Sequence, residues 1–343
     1  MPHSIPSPPP LKGSSQWGVC IEPGTPPNAI ARHSTRRFRV VKRRIVRTRR
    51  PVDLGLTLGL LQHGGRRDPC VRVLRDEVWR ATDTVEGPAT THLQSVGECE
   101  VAVRAWGPGA ECAIDGVPSL IGADDDPPSL AGVHPLIDEL ERSLPGLRVG
   151  RTGAVMEALV PTVLEQKVIG LEAKRSHVAM VRAAGRRAPS AGSCTPPLFL
   201  PPESGWLVRT PSWTFHRWGV ERKRARTIQV AASYAHRFRS IDSGVNDVRR
   251  RLSALPGVGP WTCNTVATIA LGDPDAVPVG DYWVKHIVSN ALTGEPRGTD
   301  ERMLELLEPW RGQRGRVCRL IGAGGPSLPR YGPRLSLRNL AAH

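Results

Sequence analysis

The sequence has no closely spaced pair of cysteines. Its seven cysteines are scattered, and the nearest two are Cys99 and Cys112. A Cys-x-x-Cys zinc or redox pair is therefore excluded, and such a set is typical of reduced thiols in the cytoplasm. No apolar run reaches the roughly 18 residues that a membrane helix requires, and the N-terminus lacks the apolar core of a signal peptide. These absences favour a cytoplasmic protein without a membrane partner.

Acidic residues are too few to balance the basic ones. The 343 residues include 47 Lys and Arg against 32 Asp and Glu, which gives a formal net charge of +15. Such a chain is expected to bind an anionic polymer through contacts that weaken as the salt concentration rises. An arginine-rich composition inherited from a GC-rich genome is the alternative explanation of the charge. The length allows two domains with separate cores.

The first 50 residues lack regularly spaced apolar positions. They are rich in Pro, Ser and Gly at first and then in Arg. Residues 1–50 are therefore predicted to be a disordered tail. Its basic part, 32–50, is either an arm that follows nucleic-acid phosphates or a solvated tail, and the sequence supports both interpretations equally.

The rest of the chain changes pattern once. Short β-like runs between turn residues occupy 70–74, 77–81, 90–93 and 100–105. They predict a β-rich N-terminal domain over 51–123, with possible core residues at Trp79 and Trp106. The acidic and proline-containing segment 124–130 is predicted to be a linker. Helical periodicity dominates from there, which predicts an all-helical domain over 131–343.

The stretch from Leu255 to Asp281 concentrates the chemistry. Leu-Pro-Gly-Val-Gly-Pro-Trp lies between two helical patterns, and a lone carboxylate follows Trp261 by twenty residues in a Gly-Asp-Tyr turn. Gly257 and Gly259 suit a tight turn or the close approach of another backbone. Amides that point outward at the start of the next helix would bind an anion, of which phosphate is the obvious example.

This combination resembles the helix-hairpin-helix motif of the DNA glycosylase superfamily, and most closely its DNA-3-methyladenine glycosylase II (AlkA-like) branch of actinobacterial type. The hairpin occupies 255–261, and the resemblance extends from about Asp53 to the C-terminus. It implies an α+β fold, in which an N-terminal antiparallel β-rich domain is followed by a mainly α-helical helix-hairpin-helix glycosylase domain. The implied partner is double-stranded DNA with a damaged base, and we expect a nucleoid-associated monomer.

The resemblance implies that Asp281 is the catalytic residue. Its carboxylate would stabilise an oxocarbenium-like sugar and orient water. The alternative role is to cap the following helix, and one residue can do both. Trp261 stands where bifunctional members carry a lysine nucleophile. Because an indole has no nucleophilic nitrogen, release of the base without strand cleavage is expected.

The resemblance also implies a base pocket, a DNA contact and a cation site. The pocket residues would be Trp261, Trp283 and Trp218, although core packing is the other interpretation of Trp218. The DNA-binding residues would be Gly257, Val258, Gly259, Thr262, Gln166 and Lys167. The carbonyls of Ser253, Leu255 and Val258 would hold Na⁺ or K⁺. No cofactor is expected to be required, and an iron–sulfur cluster is excluded because Cys318 is alone in the C-terminal region.

The expected activity is monofunctional excision of alkylated purines in base excision repair, by base flipping and Asp-assisted hydrolysis. One alternative is a glycosylase for oxidised or mismatched bases, and another is a DNA-binding protein without catalysis. The second stays open because Lys167 and Thr265 depart from the usual pattern of the family. Lys167 is either a phosphate-binding lysine or merely an exposed one. Thr265 stands at a position where relatives have an aromatic pocket residue, so it alters the shape of the pocket. The proline-rich segment 185–212 departs too, and is expected to be a surface loop or a diverged connection.

Overall fold

The computed structural model describes residues 42–190, 192, 195–238 and 244–328. Most of the predicted tail lies outside these residues, but Lys42–Arg47 forms a strand, β1. The prediction of a disordered tail is therefore wrong for these six residues. Backbone pairing explains the order, because β1 pairs along its whole length with the antiparallel strand β5, Glu100–Trp106.

Ion pairs on the protein itself also hold this basic strand. The pairs are Lys42–Glu111 at 2.7 Å, Arg44–Asp115 at 3.5 Å, Arg47–Glu100 at 2.8 Å and, just after the strand, Arg50–Asp126 at 3.0 Å. Each of these exposed pairs contributes little by itself. Together they show that the last part of the predicted basic arm faces carboxylates of its own chain.

Five strands form one antiparallel sheet in the order β1-β5-β4-β3-β2. The remaining strands are β2 Val71–Val73, β3 Glu77–Thr84 and β4 Gly87–Gly97. The four predicted β runs are confirmed, although β3 and β4 extend further than their apolar cores. Val78, Leu93 and Val103 are neighbours across β3, β4 and β5 and are fully buried on one face. Along β3 and β5, buried positions alternate with more exposed ones. This alternation is expected of a sheet that packs one face against a core.

Helices dominate the chain after the sheet, so the α+β class is confirmed. The α-helices are α1 Leu54–Leu58, α2 Ala110–Asp115, α3 Val117–Leu120, α4 Pro135–Ser143, α5 Val155–Leu164, α6 Gly170–Ala184, α7 Ser204–Arg209, α8 Ser212–His216, α9 Arg222–Ser233, α10 Val245–Ser253, α11 Pro260–Val266, α12 Val284–Thr293, α13 Asp300–Leu307 and α14 Arg314–Gly324. A π-helical turn, Ala267–Leu271, extends α11. Within the described residues, no helix is long and apolar enough to cross a bilayer.

The buried side chains form two large clusters. One joins the sheet to α5, α9, α10 and α11, and the other joins α4, α12, α13 and α14. The consecutive residues Ala276 and Val277 belong to different clusters. The loop between α11 and α12 therefore crosses from one core to the other, and Asp281 lies in this loop. The predicted domain boundaries at 51–123, 124–130 and 131–343 stay predictions.

The proline-rich segment after α6 covers the second face of the sheet. Leu198 and Leu200 are buried against Ala81 of β3, and the Phe199 amide donates to the Pro69 carbonyl at 2.8 Å. The expectation of a surface loop is therefore wrong for Leu198 and Leu200, and also for Ser204–Arg209, which forms a helix. The alternative of a diverged connection stays a prediction. Its apolar residues are buried by long-range contacts, so they need no local periodicity.

Candidate active site

The two glycines of the hairpin between α10 and α11 are required for different reasons. Gly257 has a φ of +87°, and a Cβ there would lie 2.1 Å from Oγ1 of Thr227 on α9. Both the backbone conformation and the packing therefore require glycine. Gly259 has a φ of −95°, and a Cβ there would meet no described atom within 4 Å. The space beside Gly259 is thus open to the backbone of another molecule.

The hairpin amides are not equally available to a phosphate. The Val258 amide donates to the Leu255 carbonyl at 3.0 Å and closes the turn, which removes it from the predicted phosphate contacts. In the part of the chain that the structure describes, the amides of Gly257 and Gly259 donate to no acceptor. The first-turn amides of α11 also lack partners within their helix. The available donors therefore flank Val258.

Gln166 braces the hairpin from the end of α5. Its Nε2 donates to the Gly257 carbonyl and to the Thr262 hydroxyl, both at 2.9 Å. Thr262 is itself buried. The two side chains predicted to contact DNA therefore contact each other, and any direct DNA contact of Thr262 has to use its main chain. The structure gives Gln166 a part in the shape of the hairpin that its sequence position did not indicate.

Lys167 lies in the turn after α5 rather than inside the helix. It is exposed and has a φ of 53°. Among the described residues other than glycine, no other has a positive φ. The left-handed region is uncommon for a lysine, and such a conformation persists only where the surroundings fix it. Lys167 is thus exposed, as one of its two interpretations expects, but it lies in a turn that the sequence did not indicate. Its predicted DNA contact stays a prediction.

The Asp281 carboxylate is held from both sides of the loop. Its Oδ2 accepts a hydrogen bond from Nε1 of Trp261 at 3.1 Å, and its Oδ1 accepts from the amides of Trp283 at 2.7 Å and Val284 at 2.9 Å. Asp281 lies two residues before the N-cap of α12, which is Trp283, so it is not itself the N-cap residue. Its side chain still accepts from the amides of the N-cap residue and of the first helical residue, Val284. The indole contact, in addition, joins the carboxylate to the first turn of the helix that follows the hairpin. The half-buried carboxylate is thus held by hydrogen bonds to both of its oxygens.

Two of the three predicted pocket tryptophans lie at this carboxylate. Trp261 contacts it directly, and Trp283, whose side chain is 49% exposed, follows it. Trp218 is buried in the main core, with its ring 5.5 Å from Trp206 and 5.0 Å from Phe215 between centroids. The pocket assignment of Trp218 is therefore wrong, and the core-packing interpretation is confirmed.

The arginines of α10 are less available than their sequence position suggests. Arg249 is paired with Asp273, and it also donates to Asn264 Oδ1 at 2.5 Å. Arg250 and Arg251 both pair with Asp247 of the same helix. The Arg249 contacts join α10 to α11 and to the loop after it. The paired carboxylates offset part of the local positive charge.

One cluster has the residue types of a metal site. The ligand atoms of Asp68, Cys70 and His177 lie within 4.8 Å of one another, and all three residues are buried. The Asp68 oxygens already accept hydrogen bonds from the amides of Gly64, Cys70 and Val71. Burial raises the pKa of the Cys70 thiol well above its usual value, which keeps it protonated. We therefore assign this cluster a structural role.

A cavity of about 820 Å³ lies apart from Asp281. It is lined by β3 and α5 among other elements, and Arg80 and Glu157 form a 2.7 Å ion pair in its wall. Its lining includes neither Trp261 nor Asp281. The candidate site is consequently the open surface formed by the hairpin and the Asp281 turn. An open surface suits a large ligand better than an enclosed small molecule.

Known proteins share parts of this sequence. No family model matches the chain. Over 172 residues, the chain is 33% identical to the probable bifunctional transcriptional activator/DNA repair enzyme AlkA of Mycobacterium tuberculosis, covering 48% of this chain and 34% of that protein. Over 82 residues, it is 27% identical to DNA-3-methyladenine glycosylase of Bacillus subtilis, covering 24% and 27%. The chain thus spans only about a third of the length of the curated relatives that it matches.

Solved structures resemble the fold over most of the chain. The 3-methyladenine DNA-glycosylase from Archaeoglobus fulgidus matches with a TM-score of 0.66 and 15% identity, covering 81% of this chain and 97% of that one. The apo form of the 8-oxoguanine glycosylase/lyase from Clostridium acetobutylicum matches with a TM-score of 0.61 and 15% identity, covering 83% and 99%. At these identities the likeness shows the fold alone.

Proposed function

We propose that this chain belongs to the AlkA-like helix-hairpin-helix glycosylase superfamily, parts of which it resembles, and that it is a monofunctional DNA glycosylase that excises alkylated purines in base excision repair. The observation that carries the proposal is the 3.1 Å hydrogen bond from the Trp261 indole to the Asp281 carboxylate. It joins a half-buried acid to the helix that begins at the hairpin. Binding through the hairpin would therefore place a nucleotide beside the acid.

The hairpin would hold a DNA phosphate through its main chain. The amides of Gly257 and Gly259 flank the closed turn, and no described atom lies within 4 Å of a Cβ built on Gly259. Backbone amides position a phosphate without reading the base sequence, which suits an enzyme that must find lesions in any context. The net charge of +15 supports binding to a polyanion.

Asp281 would stabilise the sugar as the base leaves. The target nucleotide has to leave the stack to reach it, and the exposed ring of Trp283 and the Trp261 ring offer surfaces for the extruded base. An N-alkylated purine carries positive charge, so its contact with an indole face is favourable, and it departs without a general acid. The Asp281 carboxylate would then offset the oxocarbenium-like charge on the sugar and orient the attacking water.

The same site would not cleave the DNA strand. A lyase needs an amine to form a Schiff base with the sugar, and residue 261 is a tryptophan whose Nε1 donates to Asp281. Lys285, the next amine along the chain, donates to Asp300 at 3.0 Å. The residues beside Asp281 therefore favour hydrolysis alone.

A Na⁺ or K⁺ ion would be held by the hairpin carbonyls of Ser253, Leu255 and Val258. Carbonyl oxygens are suitable ligands for hard cations. The Leu255 carbonyl accepts the Val258 amide but keeps a second lone pair. The Ser253 hydroxyl donates to the Arg249 carbonyl at 3.0 Å and does not compete for the site. When bound, the ion would supply positive charge toward a DNA phosphate.

The remaining parts of the proposal concern organisation and partners. A β-rich N-terminal domain at 51–123 would precede the linker 124–130 and the helix-hairpin-helix domain at 131–343. The protein would act in the cytoplasm, with the nucleoid, as a monomer on double-stranded DNA that carries a damaged base. It would require no cofactor, and the hairpin ion would be an accessory to DNA binding.

A panel of damaged duplexes tests this function. The purified protein is incubated with DNA that contains 3-methyladenine, 8-oxoguanine, uracil or a mismatch, and free base and strand breaks are measured. We expect release of the alkylated base, and breaks only after treatment with alkali. Release of oxidised or mismatched bases alone would support the first alternative. Prompt breakage would contradict the argument from Trp261, and salt-sensitive binding without any release would indicate a non-catalytic protein.

A further inference from the structure

The turn that carries Asp281 is fixed by a residue of another helix. Gly280, with a φ of +92°, comes directly before the catalytic candidate. Its amide donates to Oδ1 of Asp300 at 2.9 Å, and the Asp281 amide donates to the Pro278 carbonyl at 3.0 Å. Both peptide planes that lead into Asp281 are therefore held by hydrogen bonds.

Asp300 also contacts the chain after Asp281. Its Oδ2 accepts a hydrogen bond from Nζ of Lys285 at 3.0 Å, and Lys285 lies in the first turn of α12. One carboxylate thus joins the residue before Asp281 to the helix that follows it. Rotation of the turn about its two ends would break at least one of these contacts.

Asp300 is itself held in place. It is the first residue of α13, where the helix dipole favours a negative charge. Two positions earlier, the Gly298 amide donates to Nδ1 of His286 at 3.1 Å, and a Cβ on Gly298 would lie 1.9 Å from Ser289 Oγ. The chain entering α13 is therefore packed closely on α12, which leaves Asp300 little freedom.

The charge of Asp300 suits this arrangement. Desolvation alone would raise the pKa of its carboxyl, but the hydrogen bonds from the Gly280 amide and from Lys285 outweigh that effect and lower the pKa below its usual value. The group is consequently an anion at neutral pH and can accept from both partners at once.

We propose that Asp300 is a positioning residue, which holds the Gly280–Asp281 turn so that the Asp281 carboxylate faces the site at which the sugar would react. The catalytic part of this inference rests on the proposed function. Misplacement of a reacting group by about 1 Å can cost on the order of 100-fold in rate. Asp300 touches no reacting atom and acts only through the turn.

Substitutions at Asp300 test its effect on rate. Asp300→Ala removes both contacts, and we expect single-turnover release of 3-methyladenine to fall by about 10- to 100-fold, with binding to abasic-site DNA unchanged. Asp300→Asn keeps an acceptor for the Gly280 amide but loses the ion pair with Lys285. Its rate of release should therefore lie between those of the wild type and Asp300→Ala, and its fold should be retained. Glu301→Ala is the matched control, because Glu301 is an exposed acid in the same helical turn and should leave the rate unchanged.

The indole proton of Trp261 provides a readout that does not depend on activity. In protein labelled with ¹⁵N-tryptophan, its resonance, assigned with Trp261→Phe, reports the hydrogen bond to Asp281. We expect the resonance to shift in Asp300→Ala and Asp300→Asn but not in Glu301→Ala. An unshifted resonance in both Asp300 variants would overturn the proposal, as would a shift without a loss of rate. If the resonance shifts but the wild-type protein releases no base from any substrate, positioning stands and the proposed function fails.

Discussion

Among the described residues, the Asp281 carboxylate accepts three hydrogen bonds, of which one comes from a side chain. The amides of Trp283 and Val284 belong to the start of α12 and stay wherever that helix forms. The Trp261 indole, by contrast, comes from the helix after the hairpin. Through this contact, phosphate binding at the hairpin would affect the orientation of the Asp281 carboxylate.

Trp261→Phe keeps an aromatic ring but removes the donor to Asp281. A hydrogen bond to a charged group contributes about 1.5–3 kcal/mol, so we expect base release to slow by roughly 10-fold or more. Binding to abasic-site DNA should change by less than about 2-fold, because the hairpin amides are untouched. Single-turnover kinetics and fluorescence anisotropy measure the two quantities. Trp213→Phe, at a side chain 68% exposed on α8, is the control, and equal rates in both variants would contradict the role of the indole.

Sequence reasoning located the acid and the indole because their spacing is a local property of the chain. It could not predict the contacts that support them. Gln166 contacts the hairpin across 91 sequence positions, and Asp300 contacts Gly280 across 20. Neither separation leaves a periodic signal. Trp218 was assigned to the pocket because an aromatic residue before a basic helix has the same local sequence whether its ring is buried or exposed.

The hairpin is the element on which the proposed DNA contact depends, and its two glycines separate folding from binding. At Gly257 the left-handed backbone and the contact with Thr227 both oppose a side chain. At Gly259 neither constraint applies. Replacement of glycine by alanine should therefore affect stability at position 257 and DNA binding at position 259.

Gly257→Ala should lower the free energy of unfolding by about 1–3 kcal/mol, because the backbone is strained and Thr227 has to move. Gly259→Ala should stay within about 0.5 kcal/mol of the wild-type stability but weaken DNA binding, since its methyl group occupies the open side of the hairpin. Urea unfolding and anisotropy with duplex DNA measure these effects. Equal stabilities of the two variants, or full DNA affinity of Gly259→Ala, would contradict this description of the hairpin.

Elements whose signals are local were predicted well. Helices α9 and α10 follow from apolar spacing, and the strands follow from β-branched runs between turn residues. The end of α5 has no comparable local signal, because its last carbonyl, that of Leu164, accepts a hydrogen bond from Arg224, 60 positions later. The cover of the sheet by Leu198 and Leu200 was missed for the same reason. Long-range contacts decided both outcomes.

At the scale of the whole molecule, buried carboxylates relate stability to pH. Desolvation by burial would raise the pKa of Asp68, but His177 and the amides of Gly64 and Val71 outweigh it and hold that pKa below its ordinary value of 3.8. A carboxyl whose folded-state pKa is depressed stabilises the fold above the unfolded-state pKa. That contribution is lost as the pH falls below about 3.8 and through the folded-state value.

Asp68→Asn should lower the free energy of unfolding at pH 7 by about 2–4 kcal/mol, because it removes a buried charge that accepts several hydrogen bonds. It should also reduce the fall in stability between about pH 4 and pH 2, since the titrating group is gone. Urea unfolding across this pH range measures both effects. Asp76→Asn, at an exposed turn residue, should change neither, and identical pH profiles for all three proteins would contradict the assignment.

The central claim is that one carboxylate performs the chemistry and that binding is separate from it. Asp281→Asn tests this most directly, because the single amide oxygen of asparagine can still accept from the Trp283 and Val284 amides at the start of α12, while its NH2 group takes the place of the oxygen that accepts from the Trp261 indole. Single-turnover release of 3-methyladenine is measured beside binding to abasic-site DNA. We predict that release falls by about 100-fold or more while binding is retained. Release at the wild-type rate in this variant would contradict the account.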